Sequence, residues 1–298
     1  MPADAYRCST RSRDAGEPMY GTGSTVRRWV LLEHPGPWGE RALLDARLPD
    51  GLGRELRRLE RRTGVRTLLI RRTDRDVEAS GTCFTISSGP DRPRIERTRL
   101  DAPRDVLGLD LAALAAGRSP GLEPYVEPLF LVCTHGRHDP CCAERGRPLA
   151  LALSEADPEP TWECSHVGGD RFAANVVAFP HGWYFGRVEP EAAPAVARAY
   201  REGRVDLDHA RGRSCFATDV QAAELFLRRE RGLVGVDHIA VERIDRVSDE
   251  TVVVFATPLG GADVRVRRSA AAPARLTCHA DDERSAPEFA LVALSNRR

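Results

Sequence analysis

LFLVC, residues 129–133, is an apolar run that ends in a cysteine and passes directly into a polar, turn-like loop, THGRHDPCC, ahead of a Leu- and Ala-rich pattern over 143–155. This reads as strand, loop, helix, and it constrains the chain more than any bulk property does. The same order stands earlier. VRRWVLLEH (26–34) reads as a strand, PGPWG (35–39) as a breaker-rich turn, and Leu52, Leu56 and Leu59 among Arg and Glu as an exposed amphipathic helix. VRTLLIRR (65–72), TCFTISS (82–88) and RIERTRL (94–100) add three strands, and a short Leu/Ala helix follows at 109–116. The first third is expected to be β-α-β-β-β-α.

After the 143–155 helix, WECSHVGGDRF (162–172) reads as a Gly-containing loop. AANVVAF and WYFGRV then flank Pro180, His181 and Gly182 as a hairpin, and a helix at 190–202 closes the unit. Strand, loop, helix, hairpin, helix is the element order of a thioredoxin-like layer of helices on a sheet. The expected fold class is therefore α/β (α+β), in three parts. A β-α-β-β unit at 1–125 is a candidate degenerate copy of the central one and carries no ligand set. The thioredoxin-like unit occupies 126–210, and a small α+β extension 211–298. In that extension Thr218 or Asp219 is expected to cap a helix. HIAVERID and ETVVVFAT should pair around a Ser248-Asp249 turn, with VRVRR, RLTC and FALVAL as further strands. Breaker-rich joints fall near 101–105, 117–128 and 203–214.

Basic and acidic residues balance at 44 each, so no net field favours nucleic acid or an anionic membrane as partner. Every basic residue in that count is Arg, which reads as codon bias and carries no site. No apolar run approaches the ~20 residues that cross a bilayer, and the polar start lacks a signal peptide's apolar core, so a cytoplasmic protein is expected. In that compartment eight cysteines stay reduced. Cys8, Cys83, Cys215 and Cys278 are scattered singly and read as small buried hydrophobes. Cys133, Cys141, Cys142 and Cys164 are grouped.

Cys133 ends an apolar strand, and Cys142 stands at the start of the next helix, where the dipole favours a thiolate. Both suit a soft metal. Downstream, Cys164, His166 and Asp170 share a loop in which Gly168-Gly169 permits a sharp turn with amides free for an anion or sulfide. Two ligands from each loop would complete a site for Zn²⁺ or an iron-sulfur cluster. The eight residues between Cys133 and Cys142 suit a [2Fe-2S] rhomb better than a compact zinc knuckle. The plainer reading keeps Cys141 and Cys142 as core residues, His166 as a donor to a carbonyl and the glycines as a turn. A thiol oxidoreductase would carry Cys-x-x-Cys, which is absent, and no isolated carboxylate pair suits a sugar hydrolase.

CTHGRHDPCCAERGRP (133–148) and CSHVGGDRFAANVVAFPHGWYFGRV (164–188) closely resemble the sucrase/ferredoxin-like family, which is similar to thioredoxin-like [2Fe-2S] ferredoxins. GTGSTVRRWVLLEHPGPWGERAL, RGRSCFATDVQAAELFLR and RLTCHA extend the resemblance over nearly the whole chain. It implies a cluster held by two cysteines enclosing eight residues, matched by Cys133 and Cys142, and by a Cys-x3-Cys or His-x3-His pair, matched by His166 and position 170. Here that position is Asp170, a hard donor for a cluster iron. The expected ligand set is Cys133, Cys142, Cys164 and His166, with Asp170 as the alternative fourth ligand. Cys141, His135, Arg137, Gly168, Gly169 and Arg171 are expected around it. His138 is expected there or at the surface, and Arg137, Arg145 and Arg171 are candidates for offsetting cluster charge toward a redox partner. The implied role is electron transfer or redox sensing rather than enzymatic catalysis. The alternative is a structural zinc protein using Cys133, His135 or His138, Cys142 and Cys164, or a cluster-less interaction protein.

Overall fold

A computed structural model describes residues 6–74 and 79–297. Strands β1 (Arg28–Glu33) and β2 (Val65–Arg71) run parallel, joined across the helices α2 (Ala42–Asp45) and α3 (Leu52–Thr63), after an initial helix α1 (Cys8–Asp14). β3 (Thr82–Ser87) pairs antiparallel with β1, then β4 (Arg94–Arg99) with β3. After the short α4 (Leu111–Ala115), β5 (Glu123–Tyr125) pairs with β4.

The central segment repeats this pairing. β6 (Leu129–Cys133) and β7 (Thr161–Cys164) are parallel around α5 (Pro140–Ala156), and β8 (Val176–Phe179) and β9 (Trp183–Phe185) extend the β6 side antiparallel. α6 (Ala193–Arg201) then leads to the edge strand β10 (Ala210–Arg213). Ten strands form one sheet in the order β10-β9-β8-β6-β7-β2-β1-β3-β4-β5, a mirrored arrangement in which β7 and β2 meet antiparallel. The final part is α7 (Thr218–Arg231) on an antiparallel sheet of β11 (Ala240–Val247), β12 (Glu250–Ala256), β13 (Gly261–Ala270) and β14 (Pro287–Arg297). The chain is thus an α+β mixture, as its patterning predicts.

β6, β7, β8 and β9 are buried along their whole length because both sheet faces are covered. On one face Phe130, Val132, Trp183 and Phe185 pack with Leu149 and Leu153 of α5 and Tyr200 of α6. On the N-terminal half, Val30, Leu32 and Leu69 pack with Leu52, Leu56 and Leu114. A third cluster runs across the β2–β7 junction through Leu68, Ile70, Leu131, Trp162 and Cys164. Buried Glu163 ties that junction, accepting from Arg71 Nε at 2.8 Å across the strands and from Thr134 Oγ1 at 2.8 Å.

Several elements differ from the sequence expectation, α1 and β5 among them, which stand where no helix or strand was expected. The loop read over 162–172 begins as strand β7, whose four residues are too short to display a period. The joint at 203–214 contains β10. RLTC is no strand; it lies in the loop between β13 and β14. Neither Thr218 nor Asp219 caps α7, whose N-cap is Ala217; Asp219 instead accepts from Arg246 Nε at 2.6 Å and Thr251 Oγ1 at 2.9 Å.

Candidate metal centre

Cys133 is the last residue of β6, and α5 starts seven positions later with Asp139 as N-cap and Pro140 in its first turn, where a missing N–H costs nothing. The return is tight because of Gly146. A Cβ there would collide with the carbonyl oxygen of Cys133, so only glycine lets the first turns of α5 lie against the end of β6. This approach brings Cys142 to Cys133.

The loop after β7 supplies the rest. Arg66 Nη2 donates to His166 O at 2.8 Å, while Ser24 Oγ and Tyr184 OH donate to Val167 O at 2.8 and 3.2 Å. Gly168 and Gly169 have φ of 103° and 79°, left-handed values that turn the chain back so that Asp170 faces His166. Beneath this turn lies Arg211, fully buried. Its Nη1 donates to Gly168 O at 3.1 Å and Asn175 Oδ1 at 2.7 Å, its Nη2 to Thr22 O at 2.6 Å, and Asn175 Nδ2 donates to Gly169 O at 2.9 Å.

The donor atoms of Cys133, Cys142 and His166 lie within 4.8 Å of one another, and so do those of His138, His166 and Asp170. His166 Nδ1 stands 2.9 Å from Asp170 Oδ1, and the Cys142 thiol donates to the same oxygen at 3.4 Å. A hydrogen bond from Cys142 pulls the Cys133 thiol well below its usual range, whereas that same bond and burial push Cys142 up. Burial opposes charging of His166, but Asp170 and Cys133 outweigh it and raise the imidazole to about 9. Burial likewise works against the Asp170 carboxylate, and the His166 contact outweighs it and lowers its pKa. The site is a buried thiolate, imidazole and carboxylate set that already shares protons where a cation would bind.

Cys164 is not among the converging donors. It lies opposite Cys133 in the β6–β7 register, fully buried in the cluster that also holds Cys133 and Cys142, and burial raises its thiol; the carboxylate that meets His166 is that of Asp170, the alternative fourth ligand. The Gly168-Gly169 turn returns position 170 to His166, whereas Cys164 stays within β7.

His135 and His138 adjoin the set. The ring of His138 stacks on His166 at 3.8 Å. His135 Nδ1 accepts from the backbone N–H of His166 at 3.3 Å, leaving Nε2 to donate to Gly39 O at 2.8 Å. Arg137 is exposed and Arg145 half-buried. Arg171 is occupied by Glu17 Oε1 at 2.6 Å, holding the N-terminal segment against the site loop. Cys141 turns away from Cys142 and joins Cys8 and Cys278, which were expected to be isolated core residues; Cys83 and Cys215 are core residues in separate clusters.

A sequence model described as Sucrase/ferredoxin-like matches residues 19–212, well over half of the chain. The chain belongs to the sucrase/ferredoxin-like family. The match spans β1 to β9, most of β10 and every donor of the Cys133 site, and stops before α7 and the second sheet. Neither the curated proteins nor the solved structures contain a match.

Proposed function

We propose that this sucrase/ferredoxin-like protein binds a [2Fe-2S] cluster through Cys133, Cys142, His166 and Asp170 and serves in electron transfer or redox sensing. The observation that carries the reading is the convergence of two cysteines, one from a strand end and one from a helix start, on a His-x3-Asp pair from the neighbouring loop. The donor set fits such a group: two thiolates supply the soft ligation that cluster iron prefers, and the imidazole and carboxylate complete four protein ligands. When bound, a [2Fe-2S] centre accepts and donates one electron at a time.

The chain's own residues prepare the site. The N-terminus of α5 sets a positive dipole end at Cys142, which stabilises its thiolate once a cation has displaced the proton. Arg211, Asn175 and Arg66 hold the loop so that His166 and Asp170 stay together. The proton that His166 shares with Asp170 leaves when a cation binds. A cleft of about 510 Å³ lined by His135, His138, His166, Arg41, Arg57 and Arg66 opens on the imidazole side, and we propose this face as the route to a protein redox partner. The protein is then a carrier or sensor and not itself an enzyme. Its eight free thiols suit a reducing, cytoplasmic setting, and among the described residues no helix is long and apolar enough to cross a membrane.

The close spacing of Cys133, Cys142 and His166 is also that of a single zinc ion. Dithionite reduction of anaerobically purified protein separates the two. A one-electron paramagnetic signal, with a midpoint above the roughly −400 mV of all-Cys plant-type clusters, supports the proposal. A diamagnetic, redox-silent protein contradicts it.

A further inference from the structure

The adjacent cysteines at the start of α5 face opposite ways. Cys142 belongs to the site above, while Cys141 joins Cys8 from α1 and Cys278 from the β13–β14 loop. Three segments distant in sequence therefore deliver three thiols to one point. Cys141 Sγ is 3.4 Å from Cys278 Sγ, and Cys278 Sγ is 3.5 Å from Cys8 Sγ. The Asp139 carboxylate closes the group at 3.8 Å from Cys8 Sγ, and the four donors all lie within 4.8 Å of one another.

The surroundings hold these donors in place. Asp139 Oδ1 accepts from the Cys141 N–H at 2.9 Å and Oδ2 from the Cys278 N–H at 2.7 Å, so the carboxylate is anchored to two of the three cysteine backbones. A carboxylate has further lone pairs beyond those two bonds. Arg275 Nη2 donates to Cys278 O at 3.2 Å, and its Nε donates to Ala280 O at 2.8 Å, which fixes the loop. Cys8 and Cys141 are 1 % exposed and Asp139 is 0 %, whereas Cys278 is 9 % exposed and marks the side from which an ion would enter.

We infer that Cys8, Cys141, Cys278 and Asp139 form a second metal site, a closed Cys3Asp centre for zinc that is structural and separate from the Cys133 centre. With Zn–S of about 2.3 Å and Zn–O of about 2.0–2.2 Å, a tetrahedron has S–S edges of about 3.8 Å and S–O edges of about 3.5 Å, close to the separations found here. Three thiols and a carboxylate leave no open position, which is the mark of a structural rather than a catalytic ion. A disulfide would use two of the thiols and leave the third and the buried carboxylate unexplained. The ion would clamp α1 and the β13–β14 loop onto the helix start that carries Cys142. Cys8 and Cys278 both lie outside residues 19–212, the span that the family model matches.

The test is metal content of the folded protein after anaerobic purification, with Cys278→Ser and Cys142→Ser in parallel. Zinc should be stoichiometric in the parent and in Cys142→Ser, and should fall about tenfold or more in Cys278→Ser. Because Cys142→Ser removes a ligand of the other centre only, failure of the proposed cluster leaves this result intact. A second measurement needs no variant: in the parent protein, alkylation of Cys8, Cys141 and Cys278 should be suppressed until a zinc chelator is added. Absence of zinc from the folded parent, loss of zinc in Cys142→Ser with retention in Cys278→Ser, or a disulfide among the three in unreduced peptides would overturn the inference.

Discussion

Replacing Arg211 with Met tests how the site loop is held. The guanidinium is 1 % exposed, and burial pushes its pKa down to about 10, so it is still charged at neutral pH. Four hydrogen bonds leave it, to Thr22 Oγ1, Thr22 O, Gly168 O and Asn175 Oδ1. Methionine preserves much of the stem between the rings of Phe172 and Tyr184 but strands the last three acceptors, at about 1–3 kcal/mol each. Relief from burying a charge returns several kcal/mol, so the expected net loss is about 3 kcal/mol. All four tryptophans are buried, and urea unfolding followed by their fluorescence reads the change. With a slope of about 3 kcal/mol/M the midpoint falls by about 1 M. The same variant should bind less metal, because the Gly168-Gly169 turn loses its support. A midpoint within about 0.2 M of the parent, with full metal loading, would refute the reasoning.

Gly146→Ala drives a methyl into the Cys133 carbonyl, so a loss of about 1–3 kcal/mol in thermal unfolding is expected together with reduced metal content, since α5 must back away from β6. Cys164→Ser should keep the parent's metal content and ultraviolet-visible spectrum while costing about 1–3 kcal/mol, because a hydroxyl replaces a thiol in an apolar site; loss of metal would restore Cys164 as a ligand. Metal affinity should depend on pH. His166, raised to about 9, is protonated in the metal-free chain at neutral pH, and binding displaces that proton. The Cys142 thiol, also pushed up, must lose its proton as well, so affinity falls about a hundredfold for each pH unit below 9, which competition with a chelator at several pH values measures; a tenfold slope would exclude His166.

The strand, loop and helix around Cys133 were legible because LFLVC and the Leu/Ala pattern differ in period, and the His166 loop because Gly-Gly marks its turn. What the sequence concealed has two physical origins. β7 is four residues long and buried on both faces, so TWEC offers neither alternation nor a continuous apolar run, yet it joins the two halves of the sheet. The second origin is distance along the chain. Cys8, Cys141 and Cys278 each look solitary or redundant in sequence, and only the packing of α1 and the β13–β14 loop against α5 brings them together. The unexplained doublet Cys141-Cys142 was the available signal: on a helix, consecutive side chains diverge by about 100°, so two adjacent cysteines can serve two sites. Arg211 gave no signal, since one arginine among 44 basic residues is invisible until it is found buried under a turn.

Iron and acid-labile sulfide per chain after anaerobic purification test the central claim most directly. The account predicts two of each in the parent protein, both lost in Cys142→Ser. Zinc at the Cys133 centre without sulfide, or a folded protein with that centre empty of metal, would contradict it.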